Sequence, residues 1–321
     1  MPDRERLLLG MDIGGTKTVV ALGYASGEIL AESRVEDWAS GSWQTDLEML
    51  ESQARDLLDR TGVPEGDLQA LGLSAPGPLD PVRGVVLEAP NLPGWSGVPI
   101  VERIGSALGV PCRLENDANA AALAEWRFGA GQGSSHMLYL TMSTGVGAGL
   151  ILNGALYRGA HFSAGEFGHV SVVPGGRECP CGLRGCLEAY TSGAGIAAQI
   201  REDIAAGRAD QILDLAGGDP QKVSARLWTE ALRAGDSYAQ SLKREFIDHL
   251  AQGLAALVIG LDPERIVLGT IIQRNPDLFL DDLRDRVSER IWPGLRDVQI
   301  EVGALGDKLP SYAALCVAAL E

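Results

Sequence analysis

Three segments of this chain hold residues whose types and spacing could do chemistry. In GHVSVVPGGRECPCGLRGCLE (168–188), His169 is followed by Cys179, Cys181 and Cys186, three of the five cysteines present. One imidazole and three thiols within so short a span suit a tetrahedral Zn²⁺ ion, although the C-x-C-x4-C spacing is not the common C-x2-C knuckle. Glycines at 175, 176, 182 and 185 let the loop fold back around an ion. No C-x-x-C opens a helix, which disfavours a redox pair. Cys112 and Cys316 sit in apolar surroundings and read as small core residues.

The second segment is DIGGTK (12–17). Asp12 ends an apolar strand pattern, and Gly14 and Gly15 form a turn that lets backbone N–H groups approach an anion. Thr16 and Lys17 add a hydroxyl and a cation. The G-x-x-x-x-G-K-[ST] phosphate loop is absent, and an ordinary hairpin bend explains the segment equally well. A second such bend, STGVGAG (143–149), with Thr144, Gly145 and Gly147, turns the balance toward a pair of phosphate-binding bends.

The third segment is LENDANAAALAE (114–125), where Asn116 and Asp117 stand between a strand pattern and a helix pattern. Both are favoured helix caps, worth about 1 kcal/mol. They could equally be a carboxylate base and an amide that orients a hydroxylated substrate. The pattern alone leaves both readings open.

These segments need elements to hold them. Residues 7–30 read strand, glycine turn, strand, tight turn, strand, and 138–158 repeat that order. Aligned on Gly14 and Gly145, the copies are offset by 145 − 14 = 131 residues. The duplication predicts two similar α/β units facing each other. Helical spacing marks 46–61, 118–129, 242–260 and 311–320, and strands are expected at 68–74, 111–116 and 265–269. Strands alternating with helices make the fold α/β, with ligands at the carboxyl ends of strands.

Composition bounds the function. A chain of 321 residues is long enough for two domains. Its net charge of −16 and pI near 4.7 oppose a nucleic-acid footprint, which needs clustered excess Lys and Arg. The N-terminus, MPDRERLLLGMDIGG, has too short an apolar run for a signal peptide, and no stretch reaches membrane-spanning length; LAALVIGL (254–261) reads as a core helix. A cytoplasmic, reducing setting is expected, which opposes disulfides.

Taken in order, these motifs resemble the ROK family of sugar kinases and related repressors, over almost the whole chain. DIGGTK and STGVGAG resemble the family's two phosphate motifs. SAPGPLD (74–80), PNLPGW (90–95) and ENDANAAALAE resemble its sugar signatures, and AGEFGH followed by CPCGLRGCLE its sugar and zinc segment. The resemblance implies the two-domain actin-like ATPase (ribonuclease H-like) fold with a cleft between domains, here 1–118 plus 306–321 and 119–305. It implies an ATP-dependent hexose kinase, in first place a glucokinase, with Asp117 as general base toward the sugar 6-hydroxyl. Asn91, Asn116, Glu166, His169 and Glu188 would bind the other hydroxyls. Asp12 would hold Mg²⁺; Gly14, Gly15, Thr16, Lys17, Thr144, Gly145, Gly147 and Gly269 would line the nucleotide. His169, Cys179, Cys181 and Cys186 would hold a structural Zn²⁺, and a homodimer or homotetramer is implied.

The chain departs from the family pattern at three places. Thr270 and Ile271 follow Gly269 where consecutive glycines are usual, LPSYAAL opens the last helix where a glycine-bearing turn is usual, and Ser143 replaces a commoner glycine. The first two bear on the nucleotide's base and ribose. The alternatives are a kinase for N-acetylglucosamine, N-acetylmannosamine or fructose, a sugar-responsive regulator, and a catalytically silent sugar binder. DIGGTK begins at residue 12, which leaves no room for the helix-turn-helix a repressor would carry, and the intact ENDAN opposes a silent protein.

Overall fold

A computed structural model describes residues 6–89 and 91–320. Residues 1–5 and 321, which complete the expected domain limits, and Pro90 of PNLPGW lie outside the described residues.

The two hairpins seen in the sequence each open a five-stranded sheet. In the first, β1 (Leu7–Ile13), β2 (Lys17–Tyr24) and β3 (Ile29–Glu36) are antiparallel neighbours. β4 (Ala70–Ala75) joins β1 in parallel, and β7 (Cys112–Asn116) joins β4; β5 (Leu79–Asp80) and β6 (Val85–Val86) form a separate ribbon. The order is β3-β2-β1-β4-β7. The second sheet repeats it as β10-β9-β8-β11-β12, built from β8 (Met137–Met142), β9 (Val146–Leu152), β10 (Ala155–Leu156), β11 (Arg265–Leu268) and β12 (Gln299–Val302). The third strand of the second copy has only two residues.

The repeat is real, but its register differs from the glycine-matched alignment. The first bend closes with Gly14 N–H donating to Lys17 O at 3.0 Å, the second with Ser143 N–H donating to Gly145 O at 2.8 Å. Gly14 therefore corresponds to Ser143 (143 − 14 = 129) and Lys17 to Gly145 (145 − 17 = 128), so the second bend is one residue shorter. The two glycines matched in the sequence occupy opposite ends of their turns.

Alternation along the strands separates two faces. Leu7, Leu9, Met11 and Ile13 join α1 (Trp43–Thr61) and α2 (Ile100–Leu108) in one core, through Leu47, Leu50, Leu57, Ile104 and Leu108. Leu8 points the other way, onto α11 (Leu309–Ala318), where it meets Leu315 and Ala318. On the second sheet Leu138, Leu140 and Met142 face the largest core, which α5 (Gly193–Ala205), α7 (Ala225–Arg233), α8 (Ser237–Leu261) and α10 (Pro276–Ser288) help to enclose. α4 (Glu188–Thr191), α6 (Asp210–Leu215) and α9 (Thr270–Arg274) complete the helices on this half. Trp228, Phe246 and Phe279 anchor that core, with ring centroids 5.3–5.4 Å apart.

Met137 and Tyr139 point away from that core onto α3 (Asp117–Phe128). Residues 118–125 of α3 are all buried, which its alanines make possible: the helix lies against β8, β9 and α11 with no solvent face over two turns. The layers therefore run first sheet, α11, α3, second sheet. Glu125, fully buried at the end of α3, accepts N–H groups from Ala304 and Leu305, just before α11. Among the described residues no helix is long and apolar enough to cross a membrane; 254–261 lies in α8, and all five cysteines are free thiols.

Candidate active site

Asp12 stands one residue before the end of β1, and its Oδ1 accepts the Ser74 hydroxyl at 2.6 Å. Burial pushes its carboxyl up to about 7; the Ser74 bond and the nearby Lys17 oppose the shift, and the Asp117 charge adds to it. The bend beyond it is held from outside: the Trp38 indole N–H donates to Gly14 O at 2.8 Å, and Asp37 N–H to Thr16 O at 2.8 Å. Thr16 is exposed at the tip, Lys17 is half-buried, and Asn91, exposed, has its backbone against Gly15.

The second bend is held differently. Gly193 N–H, opening α5, donates to Ser143 O at 2.7 Å, and Val146 N–H donates to Glu188 Oε2 at 2.8 Å. A Cβ on Gly145 would lie 2.6 Å from that same oxygen, so only glycine lets the carboxylate close in. Ser143 and Thr144 are exposed. Gly147 belongs to β9, packed on Ala118, and buried Gly269 lies against Tyr139, whose hydroxyl would meet an added Cβ at 2.5 Å. Packing thus excludes a side chain at Gly269, while at Gly147 an added Cβ would sit tightly, 3.0 Å from that of Ala118.

Of the two readings left open by the pattern, helix capping is the one on view. Asn116 caps α3, its Oδ1 accepting Ala118 N–H at 2.9 Å and Asn119 N–H at 3.2 Å. Asp117 opens the helix with its surface exposed, yet the protein crowding it costs the carboxylate hydration and pushes the carboxyl up to about 6; the Ala118 N–H opposes this, while the Glu166 charge raises it further. An acid poised there can exchange a proton near neutral pH. Beneath them lies a further partner: buried Glu115 accepts Asn116 N–H at 3.0 Å, the Asn119 amide at 2.9 Å and the Arg158 guanidinium at 2.6 Å.

The cysteine loop does fold back. Ser171 bridges to Cys186 and Glu178 to Arg184. Gly185 makes this possible, with φ 82° and a Cβ position only 1.8 Å from Val173 O. One ligand atom from each of His169, Cys179, Cys181 and Cys186 lies within 4.8 Å of every other. Cys181 Sγ and Cys186 Sγ are 3.8 Å apart, and Cys179 Sγ is 3.6 Å from His169 Nδ1. Tetrahedral bonds of about 2.3 Å to sulfur and about 2.0 Å to nitrogen give edges of roughly 3.8 and 3.5 Å, so this donor set fits Zn²⁺. The other ring nitrogen, His169 Nε2, faces Glu166 Oε2 at 3.8 Å, and Glu166 is exposed. Glu188 joins this loop to the second bend, its Oε1 3.7 Å from Cys179 Sγ.

The structure thus gathers Asp12, Asp117 and Glu166 within range of one another's charge, and links His169, Glu188 and the second bend through the cysteine loop. Sequence reasoning missed Ser74, Glu115, Arg158 and Trp38. Ser74 opens the quoted SAPGPLD and Glu115 stands directly before Asn116 on β7, so both were within reach; Trp38 and Arg158 act from distant loops. Thr270 explains its own presence: at φ 44° its hydroxyl accepts Met142 N–H at 2.9 Å and donates to Met142 O, tying the start of α9 to the end of β8.

Comparison with known proteins agrees with this arrangement. The family model described as "ROK family" matches residues 8–318. A glucokinase of Thermotoga maritima is 33% identical over 286 residues, 89% of this chain and 88% of the relative. Among solved structures, a ROK hexokinase from Thermus thermophilus superposes with a TM-score of 0.83 at 34% identity, covering 97% of each chain. A ROK glucokinase from Streptomyces griseus, solved in complex with glucose and AMPPNP, gives 0.81 at 32% identity over 98% of this chain and 99% of that one. The fold is thereby that of the ROK sugar kinases, actin-like ATPases with duplicated mixed sheets. With the family model spanning 8–318 and relatives matched along nearly the full length, this chain belongs to the ROK family.

Proposed function

We propose that this chain is an ATP-dependent hexose kinase, in first place a glucokinase. The observation that carries the reading is Asp117, a carboxyl poised near neutrality at the start of α3, with Asp12 and Glu166 beside it. Asp117 takes the proton of the sugar 6-hydroxyl as that oxygen forms its bond to the γ-phosphorus. The bond from phosphorus to the bridging oxygen breaks, and ADP leaves with the electron pair. Such transfer needs mainly positioning and charge neutralisation. The bends at 14–16 and 143–145 supply backbone donors, with Thr16, Lys17 and Thr144 at their exposed edges.

Asp12 is the residue to hold Mg²⁺, since a cation beside two carboxyls held above their ordinary range compensates their charge as well as that of the phosphates. Asn91, Asn116, Glu166, His169 and Glu188 are the acceptors and donors for the remaining hydroxyls; each penalises a sugar lacking its partner group. Zn²⁺ at His169, Cys179, Cys181 and Cys186 would serve as a structural clamp, fixing the His169 ring so that Nε2 faces the sugar side. Residues up to 118 with 306 onward form one domain in this reading and 119–305 the other. ATP as substrate and five free thiols fit a cytoplasmic location.

The test is a coupled assay of the purified protein with a hexose panel and ATP, GTP and polyphosphate. Glucose with ATP is expected to give the highest kcat/KM. If no sugar is phosphorylated with any donor, the kinase reading fails; preference for an N-acetylated hexosamine or fructose would move it to the corresponding kinase.

A further inference from the structure

The segment between β3 and α1 touches two loops that the proposed reaction uses for different substrates. Trp38, 8% exposed, donates its indole N–H to Gly14 O at 2.8 Å, in the first phosphate bend. Its ring meets Trp95 edge-on, with centroids 5.9 Å apart and planes at 83°. Trp95 ends the PNLPGW sugar signature and is 1% exposed; its own indole N–H donates to Asp46 Oδ2 at 2.8 Å. Asp46, also 1% exposed, closes the circuit by accepting Ser40 N–H through Oδ1 at 2.7 Å. The contact is tight at both ends. A Cβ on Gly15 would fall 2.7 Å from Asn91 O, and one on Gly94 would fall 2.4 Å from Gly41 O.

Each polar atom in this circuit is paired, and the rings between them are buried. Cores of this density shift as units, because a ring has little free space in which to adjust alone. A displacement of the 91–95 loop is thus passed through Trp95 to Trp38, and from its N–H to the Gly14 carbonyl. That carbonyl shares its peptide plane with the Gly15 N–H, one of the groups a bend of this kind turns toward an anion.

We infer that Trp38 is a positioning residue that sets the first phosphate bend and couples it to the sugar loop, so that sugar and phosphate donor strengthen each other's binding through it. The inference rests on the kinase reading above, which supplies the two ligands.

The test uses calorimetry on the full chain with AMPPNP and Mg²⁺, titrated with and without saturating glucose. In wild type, glucose is expected to tighten AMPPNP binding by several-fold. Trp38→Phe keeps a ring against Trp95 but leaves the Gly14 carbonyl without its donor. AMPPNP binding should weaken by about tenfold and its dependence on glucose should vanish, while glucose affinity without nucleotide stays within about twofold. Should Trp38→Phe fail to fold, benzothienylalanine placed at residue 38 alone has the outline of Trp and no N–H, and decides the matter. AMPPNP affinity and its glucose dependence unchanged in that variant would overturn the inference; so would equal losses of glucose and AMPPNP affinity, which mean a merely structural role. Either result beside normal wild-type turnover removes the inference alone. Wild-type protein that neither binds nor phosphorylates glucose removes the glucokinase reading and this inference with it.

Discussion

The two glycine bends occupy equivalent places in two sheets of identical strand order, yet different parts of the chain hold them. The first is gripped by Trp38 and Asp37 from its own half of the molecule and backed by the 91–95 loop. The second is gripped by the start of α5, by Glu188 next to the cysteine loop, and by Thr270 through the end of β8. Duplication has kept the strands, where backbone ladders fix geometry, and let the anchors diverge. The anchors are where the bends differ: the 91–95 loop backs one, and the cysteine loop reaches the other through Glu188.

Five tests would break or sharpen that contrast. The largest concerns Asp117 at the start of α3. Asp117→Asn should lower kcat by about a thousandfold, the scale of a lost general base, while glucose binding by calorimetry stays near wild type. A retained kcat would remove Asp117 from its role.

Next comes the anchor of the second bend. Glu188→Ala frees the Val146 N–H and should raise KM for ATP and for glucose, each by about tenfold, in contrast to the donor-selective effect at Trp38. Glu188→Gln, whose amide oxygen can still accept that N–H, should recover the ATP term in initial-rate kinetics. Cys181→Ser should lower zinc content and sugar affinity together; zinc-free protein with an unchanged KM for sugar would detach the loop from the site.

The pH profile is a gentler probe. Asp117 must be ionised to accept a proton, so kcat/KM for glucose should fall on the acid side with a midpoint near pH 6, losing about tenfold for each unit below it. Saturating Mg²⁺-nucleotide should move the midpoint lower, because a cation favours the carboxylate. A flat profile from pH 5 to 8 would contradict the assignment.

Thr270 gives the smallest effect. Thr270→Gly relieves a positive φ but forfeits the hydroxyl bonds to Met142, for a net loss of about 1 kcal/mol in urea denaturation. Thr270→Ser keeps the hydroxyl and sheds the branch, and should match wild type or exceed it slightly. A more stable Gly variant would show that the tie to β8 contributes nothing.

Much of the fold could be read from the residues because its signals are local. Continuous apolar runs marked β1, β4 and β8, leucines at helical spacing marked α1, and the pattern at 118–129 marked α3 as a helix, though not its burial on every side. The cysteine loop was readable because a donor set is a property of residue type and spacing. The register of the repeat was misplaced by two or three residues because glycine serves two purposes: Gly14 closes a turn, whereas Gly145 clears space for Glu188. What could not be read were single side chains acting across the chain. Trp38, Asp46 and Arg158 look like ordinary surface or helix residues until folding brings them to partners 24, 49 and 43 positions away. Asn116 and Asp117 were ambiguous for a sound reason, since Asn116 caps the helix that Asp117 opens.

The two site acids bear on the stability of the unliganded protein. Asp12 and Asp117 titrate at about 7 and about 6 in the fold, against 3.8 for an unhindered aspartate. Between those limits the native state retains protons that the unfolded chain has released. The linkage relation then has one sign: unfolding free energy from these two groups is at its fullest below pH 4 and declines as pH rises toward 7. At neutral pH the unliganded molecule is therefore held somewhat below its attainable melting temperature, and a ligand that brings positive charge to the pair restores the difference. Substrate loading in this protein would be read as thermal stabilisation that grows with pH, a signature that contact area alone does not produce.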